Sequence, residues 1–232
     1  MILQRYQRGK LHFLAYPAWY EAGIVHGFTG ADFDFSSGNH QCYSDFCEEF
    51  AVSGLVSLKQ VHGVEILDFR TRKQEFEMGS EPEADGMIVS ASSDVRVAYG
   101  IRTADCMPII VRDGDTLILV HAGWRGLAGG ILERALSLVS SDAEILIGPC
   151  AGAIRYQVGA DVIAAFGGRA SYAESSGTKS FLLDLPGTAA GIAQGRQVLD
   201  CGICTLSQEA FHSHRRDQDA GRNLCFVVPQ IA

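Results

Sequence analysis

The sequence predicts a mixed-sheet α+β fold, and three observations carry that expectation. Short β-branched or apolar runs bounded by Gly, Asp, Ser or Pro recur along the chain and outnumber the stretches with helical spacing. Two of those runs, Ile109–Arg112 and Leu117–His121, flank Asp113-Gly114-Asp115, a turn signal for a hairpin. No G-x-G-x-x-G occurs, which argues against a dinucleotide-binding parallel sheet.

Taken in order, strands are expected at Leu55–Leu58, Val64–Phe69, Gly86–Val89, Val95–Ile101, Ile109–Arg112 and Leu117–His121. Leu127, Ile131, Leu132, Ala135, Leu136 and Val139 fall on one face at helical spacing, so a helix is expected from about Gly126. Further strands are expected at Glu144–Ile147, Tyr156–Val158, Phe181–Leu185 and Leu224–Val228. Asp161–Phe166 reads as a short helix, and Pro186 suits the first turn of another running through Val198. The polar stretch Thr71–Pro82 reads as a surface loop. No repeat, low-complexity tract or linker divides the sequence, so one domain over 1–232 is expected.

A chain of 232 residues with 47% apolar content can bury a sizeable core without staples. The formal net charge of −8 argues against a broad electrostatic grip on nucleic acid or an anionic membrane, and leaves anionic small molecules open. Arg5, Arg8 and Lys10 interrupt what would be the apolar region of a signal peptide, and no apolar run is long enough to span a bilayer. The seven cysteines are odd in number and irregular in spacing, which disfavours a disulfide framework and makes a reducing, cytoplasmic setting the expectation.

Chemistry concentrates in four segments: Lys59–Gly63, Thr103–Pro108, Val120–Gly126 and Gly148–Cys150. Each sets a reactive or metal-binding side chain at an expected strand end beside Gly or Pro, where it is held rigidly and stays accessible. Cys42, Cys47 and Cys225 read as small buried hydrophobes, and His12, His26 and His40 as surface or core histidines. Cys201-Gly202-Ile203-Cys204 lacks a second pair at zinc-ribbon spacing and a thioredoxin-like context. His62, Cys106 and His121 form a good donor set for zinc that would leave a fourth position for water or substrate; the same residues also suit a metal-free Cys–His pair. Arg125, in a Gly-rich entry to the expected helix, suits either a phosphate or a structural cap. Phe211–Asp217 with Gly221-Arg222 is a dense run of donors, readable as an ion-pair network or as a substrate wall.

Taken together and in order, these segments resemble the YfiH-type family, formerly described as laccase-like multicopper polyphenol oxidases and now regarded as zinc-dependent purine nucleoside phosphorylases. The resemblance rests on Q-V-H-G at Gln60–Gly63, A-D-G at Ala84–Gly86, T-A-D-C at Thr103–Cys106 and H-A-G-W-R-G at His121–Gly126. G-P at Gly148–Pro149, D-L at Asp184–Leu185, C-T at Cys204–Thr205 and S-x-R-R-D with a later G-R at Ser213–Arg222 extend it, so it covers most of the chain from about residue 55. It implies zinc on His62, Cys106 and His121, copper in vitro, and a layered α/β/β/α sandwich related to cytotoxic-necrotizing-factor-type cysteine hydrolases. It also implies phosphorolysis of adenosine, inosine, guanosine and methylthioadenosine, and hydrolytic deamination of adenosine. The N-terminal third departs from the family's Arg, paired Gly and S-L-N-L: the chain reads Phe28-Thr29-Gly30-Ala31-Asp32 and then Ser37-Gly38-Asn39-His40, where Asn39 alone is readily matched. Arg155-Tyr156-Gln157-Val158-Gly159 stands where Cys-Tyr-Glu-Val-Gly is frequent, and His212 replaces a more usual aromatic residue.

For phosphorolysis, phosphate is expected against Arg125, with Gln60, Asp85, Asp105, Cys150 and Arg222 as further residues around the metal or the substrate. The first rival is a metal-free hydrolase or amidase with Cys106 as nucleophile and His121 as base, acting for example on a peptidoglycan precursor. A copper oxidase fits worse, because a trinuclear centre needs several His-x-His pairs and His212-x-His214 stands alone among seven histidines.

Overall fold

The computed structural model describes residues 2–70, 81–175, 180–218 and 221–231. The chain opens with β1 (Gln4–Arg8), β2 (Leu11–Ala15), α1 (Pro17–Glu21), β3 (Val25–Thr29) and α2 (His40–Phe50). Then follow β4 (Gly54–Val56), β5 (Ile66–Asp68), β6 (Gly86–Ser90), β7 (Ser92–Ser93), β8 (Val97–Thr103), β9 (Met107–Asp113) and β10 (Thr116–Ala122). Helices α3 (Trp124–Gly129) and α4 (Ile131–Leu136) lead to β11 (Glu144–Ile147), β12 (Gln157–Val158), α5 (Ala160–Ala165), β13 (Ser171–Glu174) and β14 (Phe181–Asp184). The chain continues through α6 (Leu185–Ala193), β15 (Val198–Asp200), α7 (His214–Asp217), β16 (Asn223–Val228) and β17 (Gln230–Ile231).

Two six-stranded sheets carry the fold, in the orders β1-β2-β3-β16-β8-β4 and β15-β11-β9-β10-β6-β5. Both are mixed: β4 runs parallel to β8 and β5 parallel to β6, while β9 and β10 form the antiparallel hairpin predicted around Gly114. The period-two alternation of the strands sorts their side chains into three cores. Along β10, Leu117 and Leu119 join the core shared by the two sheets, whereas Ile118, Val120 and Ala122 turn to the helices α3 to α6. Along β16, Cys225 and Val227 enter the shared core, whereas Leu224 and Phe226 meet Phe46 and Phe50 of α2. The layers therefore run helix, sheet, sheet, helix, as the resemblance implied. Phe226 stacks edge-on against Phe13 and Phe46, and truncating so buried a ring to Ala would cost about 3–5 kcal/mol.

Several expected elements differ in extent. The single helix expected from Gly126 starts earlier, at Trp124, and is two helices, because Gly130 adopts φ 95° and ends α3 before α4 begins. The helix from Pro186 stops at Ala193 rather than Val198: Gln194 and Gly195 take φ 33° and 82°, and Val198 opens β15. Leu185 belongs to that helix rather than to the preceding strand, because the Asp184 carboxylate caps it by accepting Gly187 N–H at 2.9 Å. Of the loop expected at Thr71–Pro82, residues 71–80 lie outside the described residues.

Candidate functional site

Strand ends and one loop converge on the site. The end of β10 delivers His121, the turn between β8 and β9 delivers Cys106, and the loop after β4 delivers His62. Their ligand atoms lie within 4.8 Å of one another, the only group of three or more such donors among the described residues. Cys106 Sγ stands 3.8 Å from His62 Nε2, and the two imidazole rings meet edge to face with centroids 5.0 Å apart.

One carboxylate organises two of these ligands. Asp85, fully buried just ahead of β6, accepts the N–H groups of Val61, His62 and Gly63 at 3.2, 2.9 and 2.6 Å. Those bonds hold His62 at φ 61°, a left-handed conformation uncommon outside glycine. The same carboxylate stands 2.8 Å from His121 Nδ1. An ionised acceptor there requires the proton on Nδ1 and leaves Nε2 as the nitrogen able to take a metal.

The electrostatics follow from this geometry. Burial pushes the Asp85 carboxyl up, but His121 and the loop N–H groups outweigh it and hold it below the usual carboxylate range. Burial likewise pushes the Cys106 thiol up, and the His121 and His62 imidazoles more than compensate, bringing it down to about 6. Burial lowers His121, yet the Cys106 sulfur and Asp85 raise it to about 9. Each shift favours the charged form of its group, so the geometry favours a thiolate beside a protonated imidazole when no metal is bound. The set fits one zinc ion: two imidazoles and a readily ionised thiol of suitable softness, with the carboxylate that zinc-bound histidines commonly lean on.

Asp105, directly before Cys106, also sits at positive φ, 82°. Its carboxylate accepts Thr205 Oγ1–H at 2.6 Å and Arg215 N–H at 2.7 Å, and its carbonyl accepts Ala151 N–H at 2.9 Å. The Cys106 turn is therefore pinned to three segments from the C-terminal half.

The trio borders a cavity of about 660 Å³ whose wall also includes Gln60, Arg125 and Arg222. Gln60 is tied at both ends of its amide to the backbone of Arg102, at 2.8 and 2.7 Å, which sets the start of the His62 loop. Arg125 is exposed, with its guanidinium carbon 4.4 Å over the Trp124 ring. It follows Gly123 into a helix of six residues, so the side chain rather than a long helix dipole supplies the positive charge there. Cys150 is 2% exposed in the core on the helix side of the second sheet, where burial pushes its thiol well above the ordinary range. It is not part of the cavity wall, and its backbone pairs with Cys204 instead.

Ser36, Ser37, Lys59, Glu81, Arg102 and His214 also line the cavity and were not singled out as site residues from the sequence. Arg102 directly precedes the T-A-D-C motif and His214 lies inside the C-terminal donor run, so proximity to motifs is the available signal. Ser36 and Ser37 carried none beyond their neighbour Asn39.

The layers and the site define the class: an α/β/β/α protein with one three-donor candidate metal centre in the wall of a polar cavity. The chain belongs to the YfiH-type family; the family model described as multi-copper polyphenol oxidoreductase laccase matches residues 37–230. A purine nucleoside phosphorylase from Xylella fastidiosa (strain Temecula1) is 39% identical over 184 residues, covering 71% of this chain and 68% of the relative. Purine nucleoside phosphorylase YfiH from Escherichia coli (strain K12) is 32% identical over 196 residues, covering 77% and 76%. Among solved structures, YlmD from Geobacillus stearothermophilus superposes with a TM-score of 0.81 at 27% identity, covering 99% of both chains. The Bacillus licheniformis hypothetical protein YfiH shares the fold, with a TM-score of 0.81 at 19% identity over 97% and 98% of the two chains.

Proposed function

We propose that this chain is a zinc-dependent purine nucleoside phosphorylase that cleaves adenosine, inosine, guanosine and methylthioadenosine, and that also deaminates adenosine. The observation that carries the reading is the His62–Cys106–His121 cluster in the wall of a cavity that also contains Arg125. The purine nucleoside phosphorylases to which the chain is similar support it.

In phosphorolysis a phosphate oxygen bonds to C1′ as the C1′–N9 bond breaks, and the proton that the phosphate gives up passes to the purine, directly or through water, yielding the free purine and the 1-phosphate of its sugar. Arg125 binds the phosphate through charge-assisted hydrogen bonds and orients it toward C1′. His62, Cys106 and His121 would hold the metal, which when bound would supply Lewis acidity and lower the pKa of water for the hydrolytic deamination. Asp85 keeps the His121 proton on Nδ1, and Asp105 fixes the turn that presents Cys106. Seven free cysteines suit a reducing, cytoplasmic setting.

The test is metal analysis of protein purified without added metal, together with adenosine turnover with and without phosphate. Near-stoichiometric zinc, adenine only when phosphate is present, and inosine in either case are expected. No metal, and no turnover after zinc is restored, would overturn the proposal.

A second reading has its own supporting observation. Cys106, His121 and Asp85 stand in the relation of nucleophile, base and orienting carboxylate, so a metal-free hydrolase remains chemically coherent. Such an enzyme is inactivated by alkylation whether or not metal is added, whereas bound zinc protects the thiol.

A further inference from the structure

The phosphorylase reading assigns no task to the segment 34–37, although Ser36 and Ser37 border the same cavity as the metal-ligand trio. The Asp34 carboxylate gathers that segment and Arg222 around itself. Oδ1 accepts Ser36 N–H at 2.8 Å and Arg222 N–H at 3.0 Å, and Oδ2 accepts the Ser36 hydroxyl at 2.9 Å. The Asp34 carbonyl accepts Asn39 Nδ2–H at 2.8 Å, and Phe35 N–H donates to the Arg222 carbonyl at 3.0 Å. Arg222 is thereby held on both sides of its own backbone, from 188 residues away in sequence.

This arrangement decides what Ser36 can offer a ligand. Burial pushes the Asp34 carboxyl up, but the Ser36 and Arg222 donors outweigh it, so it is an ionised, acceptor-only group. The single hydroxyl proton of Ser36 is committed to it, and what the oxygen has left is acceptor capacity. Arg222, in the same wall, has donors and no acceptor. An acceptor beside a donor matches a group that both gives and takes a proton, which an alcohol does. An anion such as phosphate gains from Arg222 but meets a lone pair at Ser36.

We infer that Ser36, fixed by Asp34 and accompanied by Arg222, accepts a hydrogen bond from a ribose hydroxyl of the substrate and so sets the preference for ribonucleosides over a deoxy analogue. The inference rests on the nucleoside reading above. Asp34 acts here as a positioning residue: it commits the serine proton and places the arginine.

The experiment measures kcat/KM in saturating phosphate for inosine and its 2′-, 3′- and 5′-deoxy analogues with the zinc-loaded enzyme. The wild type is expected to lose about tenfold or more on one of the three analogues, the size of one buried hydrogen bond. Ser36→Ala should lose a similar factor on inosine and almost nothing on that analogue, bringing their ratio close to one. Ser36→Thr, which keeps the hydroxyl, should restore the ratio, and Asp34→Asn should flatten it. Equal losses on all four substrates in Ser36→Ala, or a wild type indifferent to every hydroxyl, would overturn the inference while leaving the phosphorylase reading intact. Absence of turnover on any nucleoside would overturn the phosphorylase reading, and this inference with it.

Discussion

His121 Nδ1 stands 2.8 Å from Asp85 Oδ1, and the same carboxylate takes the N–H groups of the loop that carries His62. Two of the three candidate ligands thus share one anchor. Asp85→Asn is expected to weaken zinc binding by about 10–100-fold, because it loses the charge that fixes the His121 proton. Competition with a chromophoric chelator measures this, and unchanged affinity would refute the anchoring role.

Metal-free protein should be alkylated at Cys106 by iodoacetamide with a rate that rises through about pH 6, where the thiol ionises against the imidazoles. The thiols of Cys150, Cys201 and Cys225, pushed up by burial, should lag at every pH below 8. Zinc should suppress the fast phase, and Cys106→Ser should abolish it. Peptide mapping after timed quenching gives the answer.

Arg125→Ala should raise the KM for phosphate by about 10–100-fold, the worth of charged hydrogen bonds, and leave phosphate-independent deamination of adenosine near its starting rate. Unaltered phosphate dependence would move the anion site elsewhere in the cavity.

Gly123 separates two of the candidate ligands closely: a Cβ there would meet Cys106 Sγ and His62 Cδ2 at 3.0 Å each. Gly123→Ala is expected to cost about 1–3 kcal/mol through overpacking and to weaken zinc binding by spreading the donors. Thermal melts with and without zinc separate the effects, since a purely structural cost lowers both Tm values equally.

His26 is not among the residues of the cavity wall, and it sets an acid limit. Its Nε2 accepts Tyr16 N–H at 3.0 Å and its Nδ1–H donates to the Ile24 carbonyl at 2.7 Å, so the folded protein requires the neutral ring. Burial pushes its pKa down to about 4, whereas an unfolded histidine titrates near ~6.5. Between those values the unfolded chain binds the additional proton, so stability falls as pH falls, by about 3 kcal/mol at pH 4. Urea unfolding of the wild type and His26→Gln across this range should show a shallower slope in the variant.

The legible parts of the sequence were those with local causes. Alternating apolar strands around Gly114 and the motifs bearing His62, Cys106 and His121 announce themselves within a few residues. β1, by contrast, reads Gln-Arg-Tyr-Gln-Arg and is largely exposed, so it offers no alternation, and α2 fully buries only Phe46 and Phe50. The break at Gly130 was hidden because Leu127 and Ile131 keep helical spacing across it. Around the site, the roles of Asp34 and Asp105 depend on partners 188 and 110 residues away, which no local pattern records. Cys150 is the opposite case: a cysteine after Gly-Pro reads as accessible, but the second sheet and the helices packed on it close over the side chain.

The position of β16 between β3 and β8 bears on how the protein is made. A nascent chain leaving the ribosome can pair β1, β2 and β3 early, but the first sheet stays in two pieces until residues 223–228 are free to pair between β3 and β8. Phe226 and Arg222 arrive with that strand, so the aromatic core over α2 and the serine–arginine wall of the cavity are completed in the same step. A chain stalled short of β16 exposes two unpaired strand edges, those of β3 and β8, to whatever quality-control machinery surveys the ribosome exit.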